Sequence, residues 1–293
     1  MLKKTRITFT DLFIILLVLG GGIFIFYRIR FNLNYKWDWG AIPQYFFRFD
    51  EQTGRWTPNM LIEGLLITIR LSIWATVIAT IIGVVMGLCL TSGSLFRRLL
   101  GRTYVELTRN LPPIVLIFIF YFFLSSQIIP LLGVDEFIVS SSEGTKSFLA
   151  FFFAPPHMFS AFLSALITLA VFEGAYITEI VRAGIQSIEK GQWEASYALG
   201  LSPWQQIRHI ILPQATRRIL PPLAGQFIST IKDSAIVSVI SIQELTFQGL
   251  ELMSATYLTF EVWITITLLY LILALTLSLA VERLEVRMRR YEV

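Results

Sequence analysis

The stretch LSIWATVIATIIGVVMGLCLTSGSLF, residues 71–96, contains no Asp, Glu, Lys or Arg. A helix that crosses a bilayer needs about 20 mainly apolar residues, because the hydrocarbon core is roughly 30 Å thick and each residue rises about 1.5 Å. Residues 110–134, 147–172 and 262–281 are equally free of charge. Two further runs carry few charges: 219–243, with Lys232 and Asp233, and 7–27, with Asp11. The sequence therefore predicts an all-α polytopic membrane protein with about six transmembrane helices.

The composition agrees with lipid as the main solvent of the chain. Of 293 residues, 55% are hydrophobic and 15% are charged, against about 25% charged in ordinary soluble domains. The net charge of +4 comes from scattered basic residues near the ends of apolar runs, so no nucleic-acid partner is expected. Cys89 is the only cysteine, and His157 and His209 have no partners at metal spacing. We therefore expect no disulfide, no metal site and no catalytic residue.

The Lys and Arg residues fall unevenly on the two sides of the six-span arrangement. With the amino terminus in the cytoplasm, sixteen lie on the inner side and six on the outer side. This bias predicts that both termini are cytoplasmic. Five of the six outer charges lie in the first outer loop, so the first span is also open to interpretation as an interfacial helix or a cleaved signal peptide. The three Trp residues within 31–60 predict anchoring at the headgroups, and the polar stretch 133–158 predicts an outer loop.

The segment between the fourth and fifth spans, residues 187–213, reads SIEKGQWEASYALGLSPWQQIRHIILP. Residues 189–199 are suited to a helix, and Gly200 supplies the left-handed conformation that commonly follows a helix end. Ser202 and Gln205 have the spacing of a capping box, and Pro213 is expected to stop the second helix. The pattern predicts two short helices with exposed apolar side chains. These are expected to pack against their own membrane domain, another protein or the lipid headgroups.

The same segment resembles the cytoplasmic coupling loop of bacterial ABC importer permeases, whose pattern is Glu-Ala-Ala, three residues, Gly, nine residues, Ile, one residue and Leu-Pro. The matching positions are Glu194, Ala195, Ser196, Gly200, Ile210, Leu212 and Pro213. Every spacing agrees, and Ser196 replaces the second alanine with another small residue. In the family this loop seats in a groove of the ATPase subunit. The resemblance implies that these residues couple the chain to that subunit, with Glu194 as a contact and Gly200 as the turn.

Longer stretches resemble the polar amino acid uptake branch of these permeases. They are GAYITEIVRAGIQSIEKGQWEASYALGL (174–201), LPQATRRILPPLAGQFI (212–228) and KDSAIVSVISIQEL (232–245). The likeness covers about residues 61–285 and implies the five-helix core of a type I importer. Residues 1–60 would then form an extra amino-terminal transmembrane helix and an external aromatic-rich loop, and residues 286–293 a cytoplasmic tail.

The resemblance implies a permease that carries polar amino acids inward across the bacterial cytoplasmic membrane. The chain has no glycine-rich phosphate-binding loop, so ATP and Mg are expected on a partner ATPase and no cofactor on this chain. Further expected partners are a second permease copy or a sister permease, an extracytoplasmic substrate-binding protein, a polar amino acid and membrane lipid. A polytopic membrane enzyme and an ion-driven secondary transporter stay open as alternatives, but neither predicts the coupling-loop pattern.

Charged side chains inside the predicted spans are candidates for the transport pathway, because an ionised group at the bilayer centre costs about 2.5–3.5 kcal/mol. Glu173, Tyr176 and Asp233 are expected to line the passage, with the carboxylates meeting the amino group or a cationic side chain of the substrate. The alternative is that Glu173 pairs with Lys232 or Arg182 and joins helices. Glu179, closer to the cytoplasmic end, is expected to be solvated or paired with Arg182. Glu106 and Arg109 are expected to form a surface pair or a tie to the coupling loop.

Overall fold

Five helices in the computed structural model are long and apolar enough to cross a membrane. The structure describes residues 9–32, 35–51 and 54–289. Within these ranges the candidate spans are Met60–Leu90, Pro113–Leu131, Pro156–Gln186, Pro203–Ile240 and Thr259–Arg283. An apolar stretch, Phe9–Phe24, precedes them within a helix that continues to Asn32. The all-α polytopic fold is confirmed.

The elements follow one another closely along the chain, apart from a β-hairpin before the second apolar helix. In chain order the helices are α1 (Phe9–Asn32), α2 (Met60–Leu90), α3 (Leu95–Asn110), α4 (Pro113–Phe123), α5 (Ile129–Leu131), α6 (Val134–Ser140), α7 (Glu143–Phe152), α8 (Phe159–Gln186), α9 (Lys190–Ala198), α10 (Pro203–Gln205), α11 (Leu212–Asp233), α12 (Leu245–Thr256) and α13 (Thr259–Arg289). The π-helical segments Leu124–Ile128 and Gln206–Ile211 join α4 to α5 and α10 to α11. The 3-10 turns are Trp39–Ala41, Pro43–Tyr45, Pro156–Met158 and Ser234–Ile240.

Helices α2 and α8 form the centre of the bundle. In α8 the most apolar stretch is 61% buried, against 11–33% in the other spans. Two glycines of α2 meet branched side chains of α8: a Cβ on Gly83 would lie 2.5 Å from Ile177 Cγ2, and one on Gly87 would lie 2.6 Å from Val181 Cγ1. Small residues at this spacing permit close helix approach. The residue numbers of the two contacts rise along both helices, from Gly83 with Ile177 to Gly87 with Val181. Helices α2 and α8 are therefore parallel, and both end at the face of the bundle next to α9.

The residues before α2 include the only β-structure among the described residues. The chain divides into two compact units, Met1–Trp39, which contains α1, and Gly40–Val293. In the second unit, strands β1 (Phe47–Asp50) and β2 (Arg55–Pro58) pair antiparallel, with Phe49 opposite Trp56. The rings of this pair lie 5.6 Å apart, edge to face, and both are exposed. The aromatic-rich region thus contains a small hairpin, which the sequence did not predict.

The fourth span begins later and ends later than its charge-free run indicated. Residues 147–152 of this run belong to α7, and the span is Pro156–Gln186, between the expected outer loop 133–158 and the expected cytoplasmic segment 187–213. Two consecutive prolines, Pro155 and Pro156, separate the two helices, since proline lacks the N–H group and disfavours helix in the preceding residue. The expected outer loop 133–158 contains α6 and α7, and Trp74 of α2 donates a hydrogen bond of 2.9 Å to the Phe152 carbonyl.

The last helix extends into the expected cytoplasmic tail, residues 286–293. Helix α13 continues to Arg289, so residues 286–289 of the expected cytoplasmic tail are helical. Residues 290–293 lie outside the described part of the chain, as do Lys3, Lys4 and Arg6 before α1.

Candidate functional site

Helix α9 and the turn after it adopt the local structure that the sequence predicted. Gly200 has a φ of +73°, in the left-handed region, and its N–H donates to the Tyr197 carbonyl at 2.9 Å. Ser202 then caps α10. Its Oγ accepts from the Gln205 N–H at 3.4 Å, and the Gln205 side chain accepts from the Ser202 N–H at 2.9 Å. The capping box and the glycine turn are therefore both present.

The expectation that Pro213 stops the second helix is wrong. The helix from Pro203 continues through the π-helical segment Gln206–Ile211 into α11. In an α-helix proline removes one backbone hydrogen bond and its ring contacts the carbonyl four residues earlier. The π-helical segment ends two residues before Pro213 and widens the helix at that point, which accommodates the ring. The predicted pair of short helices is instead α9 and the first turns of a 38-residue helix.

Some residues of the coupling pattern face outward, and others pack against the rest of the protein. Glu194, Ala195, Gly200 and Pro213 are exposed, Ile210 and Leu212 are half-buried, and Ser196 is buried. The Ser196 Oγ donates to the Trp193 carbonyl at 2.8 Å. A small residue is required at Ser196 because its side chain lies between α9 and the protein.

Apolar packing and side-chain hydrogen bonds hold α9 on the long helix. Trp193 and Ile210 pack on a buried cluster that includes Ile188 and Ile211. Gln214 of α11 donates to Gln192 Oε1 at 3.1 Å. The Arg218 guanidinium donates to the carbonyl of Ser187, at the junction between α8 and α9. The orientation of α9 is therefore determined by α11.

Tyr176 and Asp233 line one cavity within the membrane-spanning region. This cavity, called here the membrane cavity, has a volume of about 410 Å³. Its lining residues are Pro113, Phe172, Tyr176, Gln226, Ser229, Lys232, Asp233 and Ile236. The structure thus brings together two of the three expected pathway residues. Gln226 and Ser229 of α11 are polar members of the wall that the sequence did not single out.

Glu173 is completely buried and lies behind the wall of the membrane cavity. Gln226 Nε2 donates to Glu173 Oε2 at 2.7 Å, and Glu173 Oε1 has no hydrogen-bond partner among the described residues. Asp233 is close enough to interact with the Glu173 carboxyl. The alternative pairing of Glu173 with Arg182 is not present, since Arg182 donates to Glu179 at 2.6 Å and 3.0 Å. No described ion pair joins Glu173 to Lys232 either.

A second cavity, called here the arginine vestibule, lies on the side of Tyr176 that faces α9. Its volume is about 780 Å³. Its lining residues are Leu90, Leu95, Arg98, Leu99, Arg102, Val105, Glu106, Arg109, Asn110, Tyr176, Glu179 and Arg182. The expected pair of Glu106 with Arg109 is not formed. Glu106 contacts Arg102 at 3.9 Å, and Arg109 lies over the Tyr176 ring, 5.3 Å from its centroid.

Glu244 is a buried acidic residue that the sequence reading did not single out. Its Oε1 accepts from the Phe247 N–H at 2.8 Å and caps α12, and its Oε2 accepts from the Tyr270 hydroxyl at 2.7 Å. Thr68 of α2 also donates to Oε2, at 3.4 Å. Burial raises the pKa of Glu244, although these hydrogen bonds favour the charged form. Glutamate is not among the residues that favour an N-cap position, so neither this cap nor the contacts to α2 and α13 were visible in the sequence.

The fold and the site define a class of membrane transport subunits. A family model described as the binding-protein-dependent transport system inner membrane component matches residues 53–290. The chain belongs to this family, and its function is therefore transport, in preference to the enzyme and ion-driven alternatives.

Relatives and solved structures agree with this assignment. The glutamine transport system permease protein GlnP of Escherichia coli strain K12 is 34% identical over 259 residues, covering 88% of this chain and 99% of the relative. The glutamate/aspartate import permease protein GltJ of the same strain is 31% identical over 258 residues, covering 88% and 97%. A crystal structure of an amino acid ABC transporter with histidines matches with a TM-score of 0.65 at 30% identity, covering 86% of this chain and 100% of that one.

Proposed function

We propose that this chain is the permease subunit of an ABC importer that carries polar amino acids inward across the bacterial cytoplasmic membrane. Glutamine and glutamate are the first candidates, because the relatives GlnP and GltJ carry these names. ATP and Mg bind to separate ATPase subunits. The complete importer also contains a second permease copy or a sister permease and an extracytoplasmic binding protein. The α9 side of the bundle faces the cytoplasm, and both termini lie on that side.

The surface of α9 and its turn is the observation that carries this proposal. Tyr197 and Leu199 are each 77% exposed and Trp204 is 62% exposed, next to Glu194 and Gly200. An apolar surface of this kind, beside charged residues and at one end of the bundle, is typical of a protein interface. Ser196 and Trp193 hold α9 on the permease, so the opposite surface is free to bind the ATPase.

The membrane cavity supports the transport of a zwitterion. Asp233 provides a carboxylate for the amino group, and Gln226 and Ser229 provide neutral hydrogen-bonding groups on the same helix. Tyr176 supplies an aromatic wall. Glu173, bonded to Gln226, positions that amide and does not line the cavity itself.

The ATPase contact is tested with a double substitution, Tyr197→Ser and Leu199→Ser. Because both side chains are mostly exposed, the permease should fold normally while co-purification with the ATPase and ligand-stimulated ATP hydrolysis are lost. Phe96→Ser is the matched control, since Phe96 is 75% exposed in α3, outside the coupling segment. Retention of the ATPase by the double variant would refute the proposed interface.

The substrate contact is tested with Glu173→Gln and Asp233→Asn in reconstituted vesicles. We expect Asp233→Asn to reduce amino acid uptake strongly, because it removes the charge that meets the ammonium group. Glu173→Gln should have the smaller effect, since Glu173 acts through Gln226. Unchanged uptake and selectivity in both variants would exclude a pathway role for these carboxylates.

A further inference from the structure

The membrane cavity and the arginine vestibule have one lining residue in common, Tyr176. Phe172, one turn earlier on α8, lines only the membrane cavity, while Glu179 and Arg182, toward α9, line only the vestibule. The two cavities therefore follow each other along α8. A solute that leaves the membrane cavity toward α9 passes the Tyr176 ring.

Arg109 lies at this passage and is held there by α3. Its guanidinium carbon is 5.3 Å from the centre of the Tyr176 ring, within the range of a cation–π interaction. Helix α3 is held against α8 by the Tyr104 hydroxyl, which donates to the Val171 carbonyl at 2.6 Å. Burial raises the pKa of Tyr104, so the hydroxyl stays protonated and keeps this bond. The position of Arg109 is thus fixed because its helix, α3, is bonded to α8.

The acidic residues of the vestibule already have partners. Glu179 accepts two hydrogen bonds from Arg182, and Glu106 accepts one from Asn110 at 2.7 Å and contacts Arg102. Among the described residues, no carboxylate forms an ion pair with Arg109. Four arginines face two glutamates in this cavity, which leaves an excess of positive charge. The guanidinium of Arg109 therefore has donors available for an anion.

We propose that Arg109 is a specificity-determining residue of the transport pathway, which binds the carboxylate of the amino acid as it passes Tyr176 toward the vestibule. This inference rests on the proposed function. A guanidinium presents planar paired donors that match a carboxylate, and its stacking on an aromatic ring leaves the donors at its edge accessible. Asp233 lies on one side of Tyr176, where its carboxylate can meet the amino group of the substrate. Arg109 lies on the other side, where its guanidinium can meet the carboxylate.

The test compares Arg109→Gln, Arg109→Lys and Arg102→Gln in the complete importer, reconstituted with its ATPase and binding protein. Arg102 is the matched control, because it lines the same vestibule but its side chain is 75% exposed and contacts Glu106. We measure L-glutamine uptake per ATP hydrolysed. Arg109→Gln should lower this ratio by about 10- to 100-fold, as expected for loss of a charged hydrogen bond.

A binding measurement separates the carboxylate role from a general effect on structure. The purified permease–ATPase complex, without the binding protein, is titrated with L-glutamine and with its α-amide, which lacks the carboxylate. The wild type should prefer L-glutamine by about tenfold, and Arg109→Gln should lose that preference. Arg109→Lys should recover part of it, and Arg102→Gln should keep all of it.

Three results would overturn the inference: an unchanged ratio in Arg109→Gln, an equal loss in Arg102→Gln, or a wild-type complex that does not distinguish the acid from the amide. Failure of the proposed function would look different. In that case the wild-type importer itself would move no amino acid, whatever residue stands at position 109.

Discussion

Replacing Gly83 by alanine tests the packing at the centre of the bundle. The new Cβ would lie 2.5 Å from Ile177 Cγ2, 2.7 Å from Ile177 Cβ and 3.0 Å from the Ile177 carbonyl carbon. Ile177 is completely buried, so neither its side chain nor its backbone can move without moving α8. Overpacking of this kind costs about 1–3 kcal/mol, and the better helix preference of alanine offsets less than about 1 kcal/mol. We expect a net loss of about 1–2 kcal/mol in unfolding free energy.

The single cysteine provides the assay. Cys89 is half-buried on α2, six residues after Gly83, so its reaction with a thiol-reactive fluorophore during heating reports the separation of α2 from the bundle. A change of 1 kcal/mol shifts the melting midpoint by about 2–4 °C in a protein of this size class. Gly225→Ala is the matched control, because Gly225 is also helical but has no atom within 4 Å of a Cβ position.

The reasoning would be refuted by a Gly83→Ala midpoint equal to that of the wild type. A midpoint that falls equally in Gly225→Ala would also refute it, because the effect would then come from substitution of a helical glycine and not from the contact with Ile177.

Two further predictions concern the coupling turn and the buried carboxyl. Gly200→Ala places a side chain in left-handed backbone at a cost of about 1 kcal/mol, so ATPase binding should weaken several-fold, and less in Gly200→Asn, as measured by co-sedimentation. For Glu244, a raised pKa means that its contribution to stability is greatest below the ordinary carboxyl pKa and is lost as pH rises through the raised value. In melting scans from about pH 4 to about pH 8, Glu244→Gln should therefore show a smaller decline in midpoint than the wild type.

The membrane-spanning architecture was predictable because lipid imposes a simple requirement on the sequence. The charge-free runs mark α2, α4 and α13, and the Gly200 turn and the Ser202 capping box depend only on neighbouring residues. The ends of the fourth span were not predictable in this way. Glu173 ends the charge-free run but accepts a hydrogen bond from Gln226 within the bundle, and Glu179 and Arg182 pair with each other at 2.6 Å, so α8 carries these charges and continues to Gln186.

The features that the sequence did not predict depend on contacts between distant segments. Pro213 is a helix stop by local rules, and only the π-helical segment before it permits the helix to continue. Arg109 lies three residues from Glu106 and was therefore expected to pair with it. In the folded chain Arg109 instead lies over the ring of Tyr176, which belongs to another helix and comes 67 positions later in the sequence.

The uninterrupted helix from Pro203 to Asp233 has a mechanical consequence. Its 31 residues form a rod roughly 46 Å long, with the proposed ATPase-binding surface at one end and the proposed substrate-binding residue Asp233 at the other. Under that proposal, a tilt imposed at the ATPase end reaches Asp233 directly, as a lever transmits a stroke. Within the described residues, bending would dissipate that stroke at the π-helical segment Gln206–Ile211 and at Pro221 and Pro222 inside α11.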